Sequence, residues 1–210
     1  MYNLPYFKEH DPEVVIDFMK QHPFAMVIGV DKFNHPAATQ VPVLIKERNG
    51  DLFLQAHIMK QTDHHKAFEK NKNILVVFSG THTYVSASLY ENQQQASTWN
   101  YQAVHVKGEL SFLDDTQLLL MLEELTTHFE NNETSPSLYK HLPSDYIDCL
   151  SKAIVAFEIK VTSIDHVFKL SQNRDAKSYQ NIMNAFQKGN RDEQYIANEM
   201  NKRKDQLFNK

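Results

Sequence analysis

Short β-type runs separated by turn-forming residues occupy the first half of the chain. Residues 24–30 (FAMVIGV), 37–46 (AATQVPVLIK) and 51–58 (DLFLQAHI) are mostly apolar and rich in β-branched side chains. The turn signals Asn34-His35-Pro36 and Asn49-Gly50-Asp51 lie between these runs. This succession predicts an antiparallel meander.

Later segments add strands and helices to this meander. Residues 74–80, 81–90, 99–113 and 153–170 have strand-like composition. Helices are predicted from Asp11-Pro12-Glu13 to His22-Pro23, within 61–73, over 116–130 with Asp114 or Asp115 as the cap, around 146–150, and on both sides of Gly189-Asn190. The sequence therefore predicts a mainly β fold with appended helices, divided into a barrel domain (1–170) and a helical extension packed on it (171–210).

The charge, the cysteine content and the apolar runs of the sequence indicate where the protein is located and what it binds. The formal net charge is −4, and residues 171–210 carry a net +3, so bulk positive charge gives DNA binding only weak support. The single cysteine, Cys149, lies in an apolar-periodic stretch and predicts a buried thiol without a disulfide. No apolar run reaches the length of about 18 residues that a membrane span needs, and no signal-peptide pattern follows Met1. We predict a cytoplasmic protein without membrane contact.

Polar and aromatic side chains cluster at the ends or on the faces of the predicted strands. The candidate ligand-binding residues are His57, Lys60, Thr62, His82, Tyr84, Ser86, Trp99, Asn100, Lys169, Ser171 and Gln172. A lysine and a hydroxyl can bind phosphate, and a strand of hydroxyl and imidazole groups suits the polar edge of a flat heteroaromatic ring. The same residues also have ordinary structural explanations instead of ligand binding: a solvated surface, a half-exposed strand, aromatic residues of the core, or a helix cap. The sequence contains no Gly-rich phosphate loop. It also contains no paired cysteines and no histidine spacing of a closed zinc site, so no metal site is predicted.

Taken in order, these clusters resemble the PaiB-type FMN-binding negative transcriptional regulators, a branch of the flavin split-barrel superfamily. The resemblance spans nearly the whole chain, and its most specific pieces are Gly80-x-His82-x-Tyr84-Val85-Ser86, Trp99-Asn100-Tyr101-x-x-Val104-His105 and the unbroken run Lys169-Leu170-Ser171-Gln172-Asn173-Arg174. It departs from the family pattern at His57-Ile58-Met59-Lys60-Gln61-Thr62, where Lys60 replaces an arginine. A bidentate fork thereby becomes a point charge.

The resemblance implies a six-stranded antiparallel split β-barrel that forms a homodimer and holds FMN between its subunits. It implies Lys60 and Thr62 at the phosphate with His57 nearby. It places His82, Tyr84 and Ser86 along the ring or ribityl chain, and Trp99, Asn100, Lys169, Ser171 and Gln172 around the same groove.

Three functions remain open on the sequence alone. The first is a flavin-binding transcriptional regulator or sensor. The second is an FMN-dependent oxidoreductase that uses a reduced nicotinamide, with His82 or His105 as a weakly supported acid or base. The third is a haem-binding or haem-degrading split-barrel protein, which the eleven histidines allow without requiring it.

Overall fold

A computed structural model describes residues 1–208, so the last two residues of the predicted extension, 209–210, lie outside the described part. The strands are β1 (Phe24–Val30), β2 (Pro36–Pro42), β3 (Leu44–Arg48), β4 (Asp51–Met59), β5 (Asn73–Val85), β6 (Thr98–Phe112) and β7 (Ile154–Lys169). They follow the order β2-β1-β5-β6-β7-β4-β3 in one sheet. β1 pairs antiparallel with β2 and β5, and β4 pairs antiparallel with β3 and β7. The prediction of a mainly β fold is confirmed.

The prediction of six strands is wrong by one, because the described chain has seven. The run at 37–46 divides into β2 and β3 on either side of Val43, whereas the runs at 74–80 and 81–90, expected as separate strands, form the single strand β5. Pro42 ends β2, and proline has no backbone N–H to donate to a strand ladder. Val43 N donates instead to the carbonyl of Pro23 at 2.9 Å.

Six α-helices are described: α1 (Pro12–Gln21), α2 (Asp63–Lys70), α3 (Asp115–Glu130), α4 (Ser144–Ser151), α5 (Ala176–Phe186) and α6 (Arg191–Phe208). Asp114 caps α3, since its carboxylate accepts from Gln117 N at 2.8 Å while the Gln117 side chain accepts from Asp114 N at 3.2 Å. This reciprocal pair is a capping box, and it decides between the two aspartates that the sequence left open.

The chain forms two compact units, and β5, β6 and β7 each contribute residues to both. The first unit comprises residues 1–19, 79–104 and 165–210. Within it, α5 and α6 bury Tyr179, Ile182 and Met200 against Val85 and Leu170. The helices at the C-terminal end therefore belong to a hydrophobic core, whereas the predicted domain boundary at residue 170 stays a prediction.

The second unit comprises residues 20–78 and 105–164. One part of its core joins Leu44 and Ala156 to Leu118 and Met121 of α3. The prediction of a buried thiol at Cys149 is wrong, because α4 has no buried residue and Cys149 is exposed. Within residues 1–208, no helix combines the length and apolar character needed to cross a membrane.

Candidate functional site

Three aromatic side chains, His82, Tyr84 and Trp99, form an exposed cluster in the first unit, which we call the aromatic platform. Thr83 and Val85 of β5 are buried, so the alternation along the strand turns His82 and Tyr84 outward. The Trp99 ring lies 5.9 Å from His82 and 5.7 Å from Tyr84 between centroids. Tyr84 and Trp99 are each 51% exposed. Large exposed aromatics grouped in this way are typical of a binding surface, and they can stack against a planar ligand.

The end of β7 supplies two cations from one tight turn, residues 169–174, which we call the cationic turn. Ser171 has a left-handed φ of 64°, and Arg174 N donates to Ser171 O at 3.0 Å. The Lys169 ammonium donates to Thr98 Oγ1 and to the Trp99 carbonyl, each at 2.5 Å. Burial, and then the positive charge of Arg174, lowers the pKa of Lys169. A half-buried positive charge therefore lies at the backbone carbonyl of Trp99.

Three other candidate side chains use their hydrogen-bonding groups inside the first unit. Asn100 is fully buried, where its Oδ1 accepts from Ser171 Oγ at 3.0 Å and its amide donates to Met200 Sδ at 3.7 Å. The Gln172 side chain donates to Phe168 O at 2.5 Å and accepts from Leu170 N at 2.7 Å. These contacts fix the shape of the cationic turn from within.

Ser86 follows the platform strand and begins a short 3-10 helix at residues 87–89. Its hydroxyl accepts from Ser88 N at 3.2 Å and shares a 2.8 Å hydrogen bond with the Ser88 hydroxyl. The side chain is partly exposed, so Ser86 combines a capping role with some access to solvent.

The remaining candidates, His57, Lys60 and Thr62, belong to the second unit. The Thr62 hydroxyl donates to Met59 O at 2.9 Å and accepts from His65 N at 3.3 Å, which caps α2. The Lys60 backbone N–H donates to Ala153 O at 2.8 Å, and its side chain is partly exposed. Thr62 thus serves first as a helix cap, and the Lys60 ammonium remains accessible to a ligand.

His57 lines a largely apolar pocket of about 460 Å³ in the second unit, together with Met59, Leu122, Tyr146, Leu150 and Ile154. Its Nδ1 is buried without a hydrogen-bond partner among the described residues. Burial lowers the pKa of His57, so the imidazole is neutral near pH 7. The sequence alone gave no sign of this pocket, since helices α3 and α4 that enclose it come from a distant part of the chain.

Comparison with known proteins assigns the chain to a family. Residues 1–163 match the family described as "Putative FMN-binding domain". This chain belongs to that family. FMN is accordingly its cofactor, and the predicted resemblance is confirmed.

A curated relative extends the match beyond those residues. The chain is 32% identical over 187 residues to "Protease synthase and sporulation protein PAI 2" of Bacillus subtilis, and the alignment covers 89% of each chain. The family membership therefore rests on two independent comparisons.

Solved structures share the fold at low sequence identity. The flavocytochrome Anf3 from Azotobacter vinelandii superimposes with a TM-score of 0.56 and 16% identity, covering 80% of this chain and 72% of that chain. The FAD and heme binding protein from Mycobacterium smegmatis gives a TM-score of 0.55 and 18% identity, covering 77% of this chain and 72% of that one. These likenesses support the split-barrel assignment.

The first unit has chemistry that suits FMN. FMN joins a planar ring system to a phosphate, and this unit holds an aromatic platform next to a cationic turn. Two buried polar atoms beside the turn, Tyr90 Oη and Arg174 Nε, have no partner among the described residues. The candidate set chosen from the sequence omitted Arg174, although it lies in the same quoted run as Lys169. Among residues 1–208 no ion pair neutralises Arg174, and only the folded structure reveals this signal.

Proposed function

We propose that this protein is a homodimeric FMN-binding regulator or sensor similar to PAI 2 of B. subtilis, and that the flavin ring lies on the aromatic platform where a second copy covers it. The observation that carries this proposal is the exposed Tyr84–Trp99 pair, with ring centroids 5.7 Å apart, next to the half-buried Lys169. An aromatic surface of this size is more stable when a flat ligand or a partner removes it from water.

The candidate residues take different roles in this proposal. His82, Tyr84 and Trp99 touch the ring, because their side chains are exposed on one surface. Asn100, Ser171 and Gln172 are positioning residues, since their polar groups already bond within the unit. Ser86 lies beside the platform strand and is available to the ribityl chain. His57, Lys60 and Thr62 stay predictions for the phosphate side, each to be tested with its own variant.

A second copy of the chain is supported by exposed apolar residues on β1. Phe24 is 63% exposed and Met26 is 39% exposed, while Ala25 and Val27, which alternate with them along the strand, are fully buried. Large apolar side chains exposed side by side are typical of a surface that a partner covers. Closed two-fold dimers are the commonest way in which a protein covers such a face with itself.

The chemistry follows from the cofactor and from what these residues do around it. FMN supplies reversible hydride or electron transfer when it is bound. Trp99 and Tyr84 exclude water from one side of the ring site, and Lys169 places a positive charge at the backbone carbonyl of Trp99. This arrangement favours ligands that carry negative charge.

An FMN-dependent oxidoreductase is the second candidate, favoured by the ion pairs of the basic residues in the C-terminal helices. Lys177 pairs with Glu91, Lys202 with Glu199, and Arg203 with Glu199 at 3.0 Å and with Glu9 at 3.2 Å. Paired cations contribute less to DNA phosphate binding than free ones. Apart from their net charge, the C-terminal helices therefore give little support to a DNA-binding regulator.

The first experiment identifies what the purified protein carries. Absorbance and mass analysis of molecules released by heat should give FMN, and light scattering should give about twice the chain mass of 24.5 kDa. A monomer without flavin that also fails to take up added FMN would refute the proposal. A gel-shift series at low salt and anaerobic mixing with reduced nicotinamides then separate the two candidates. Retarded DNA together with a flavin that stays oxidised supports the regulator. Bleaching of the flavin by the nicotinamide supports the oxidoreductase.

A further inference from the structure

Residues 1–4, which we call the strap, carry large apolar side chains that the first unit leaves in water. Tyr2 is 54% exposed, and Met1 and Leu4 are exposed as well. Apolar groups of this size, close together on one short segment, are typical of a surface that binds a ligand or a partner. The strap therefore has a contact to make beyond those it makes within the unit.

The residues that follow the strap are fixed to the body of the first unit. Lys8 Nζ donates to Asp165 Oδ1 at 2.5 Å. Glu9 N donates to His166 Nε2 at 2.8 Å. A short 3-10 turn, Pro5–Phe7, joins these anchors to the strap. The strap can move about this turn while the chain behind it stays in place.

The strap lies on the same face of β6 as Trp99 of the aromatic platform. Trp99 and Tyr101 are two residues apart on this strand, so their side chains share one face. Phe7 is buried and belongs to the cluster against which Tyr101 packs. The Tyr2 ring meets the Phe7 ring edge-on, with 6.3 Å between centroids. Burial, and then the neighbouring Tyr2 phenol, raises the pKa of Tyr101, which agrees with this proximity.

The strap is long enough to reach a ring on the platform. Lys169 Nζ lies 5.8 Å from the centre of the Phe7 ring and donates to the Trp99 carbonyl at 2.5 Å. One side chain thus bridges the anchor of the strap and the platform. An extended chain spans about 3.3 Å per residue, so the stretch from Pro5 back to Tyr2 covers about 10 Å.

We propose that the strap closes over the edge of a flavin ring bound on the aromatic platform, with Tyr2 as the residue that contacts the ring. This inference rests on the proposed function, in which the ring lies on the platform. Closure removes apolar surface of the strap and of the ring from water together, so a bound ring stabilises the closed position. The second copy of the chain covers the face of the ring, and the strap covers the edge next to Tyr101.

The two tyrosines of this region contact different parts of the unit. Tyr6 meets the Phe7 ring edge-on at 4.4 Å between centroids and lines a pocket with Leu207 of α6. Tyr2 instead lies near Tyr101 of β6. Both phenols are exposed, yet Tyr6 belongs to the fixed turn. Tyr6 is therefore an internal control for Tyr2.

The rate of FMN release measures the contribution of the strap. In Tyr2→Ala, and in a variant that lacks residues 2–4, the rate constant of release after dilution should rise about 2-fold to 12-fold, the loss expected for one aromatic contact. Tyr2→Phe keeps the ring and should release FMN at the unchanged rate. Phe33→Ala, which removes an exposed phenylalanine of the second unit, is the control. Urea midpoints check that each variant keeps its stability.

Chemical modification tests the contact itself. Tetranitromethane nitrates accessible tyrosines, and mass spectrometry locates the product. Saturation with FMN should slow the nitration of Tyr2 several-fold, because the closed strap turns this ring onto the flavin. The nitration of Tyr6 should not change.

The outcomes separate the strap from the proposed function. Faster release from both strap variants, together with protection of Tyr2 by FMN, supports the strap. FMN that leaves both variants at the unchanged rate, or that binds without slowing the nitration of Tyr2, overturns the strap and leaves the proposed function intact. Release from Tyr2→Phe as fast as from Tyr2→Ala also overturns it, because the ring is then not the contact. A protein that binds no FMN refutes the proposed function and the strap with it.

Discussion

The hydroxyl of Ser171 donates a 3.0 Å hydrogen bond to Oδ1 of Asn100, a side chain with no exposure to solvent. This bond joins the turn after β7 to the neighbouring part of β6 within one unit. It also explains how Ser171 maintains its left-handed backbone, because the hydroxyl and the turn are fixed together.

Removal of this bond should destabilise the fold. In Asn100→Ala, the Ser171 hydroxyl loses its acceptor and the buried amide leaves a gap, so the free energy of unfolding should fall by about 1–3 kcal/mol. Urea denaturation measures the change. Asn184→Ala, which alters an exposed asparagine on α5, is the control and should cost less than about 0.5 kcal/mol. Equal losses in the two variants would show that the buried pair has no special role.

The aromatic platform should govern flavin affinity. Trp99→Ala removes the largest ring of the platform, and FMN binding should weaken about 2-fold to 12-fold, because stacked aromatic pairs contribute about 0.5–1.5 kcal/mol beyond the area they bury. Trp99→Phe should recover most of the affinity. Phe33→Ala removes an exposed phenylalanine outside the platform and serves as the control. Flavin fluorescence polarisation gives the constants, and an unchanged affinity in Trp99→Ala would exclude the platform as the ring site.

The capping box of α3 gives a stability prediction that separates two adjacent aspartates. Asp114→Ala removes the side-chain acceptor for Gln117 N and should lower the free energy of unfolding by about 1 kcal/mol. Asp115→Ala removes only a favourable charge in the first turn, so about 0.3–0.5 kcal/mol is expected. Thermal or urea denaturation distinguishes them, and the reverse order would contradict the assigned cap.

The N-terminal segment should loosen in acid. Glu9 N donates to His166 Nε2 at 2.8 Å, which requires that nitrogen to be unprotonated. Burial, and then the charge of Lys8, lowers the pKa of His166 in the folded state, so the unfolded chain binds the proton more readily. The stabilisation is complete above the ordinary histidine pKa of about 6.5 and is lost as pH falls through the lower folded value.

The test compares urea midpoints at pH 7.5 and pH 5. The unchanged protein should lose more stability between these values than His166→Gln, whose amide oxygen can still accept from Glu9 without titrating. His141→Gln, at an exposed histidine, controls for general titration and should behave like the unchanged protein. An identical pH dependence in His166→Gln would remove His166 from this role.

Local sequence signals predicted most elements of the fold. Pro12, Asp114 and the Asn49-Gly50 turn each act through their own backbone or the next few residues, and the structure places the elements they mark where expected. The division of residues 37–46 into two strands was not predicted, although Pro42 lies in the middle of this run. Its apolar neighbours read as one continuous run, and the missing N–H matters only once the ladder is formed.

The site was harder to predict because its chemistry depends on distant partners. Asn100 was chosen as a ligand contact, yet Ser171 and Met200 enclose it. Cys149 was expected inside a core, but α4 packs with its residues at the surface. Sequence periodicity shows which residues share a face, and it does not show which faces find a partner.

The central claim, that the flavin ring covers the aromatic platform, is tested most directly by the reactivity of Trp99, the one tryptophan in the sequence. Oxidation by N-bromosuccinimide in the dark, followed by mass spectrometry, reports how accessible this ring is. In flavin-free protein Trp99 should oxidise rapidly, and saturation with FMN should slow the reaction at least about 10-fold if the ring is buried. Full FMN occupancy with an unchanged oxidation rate would contradict the account.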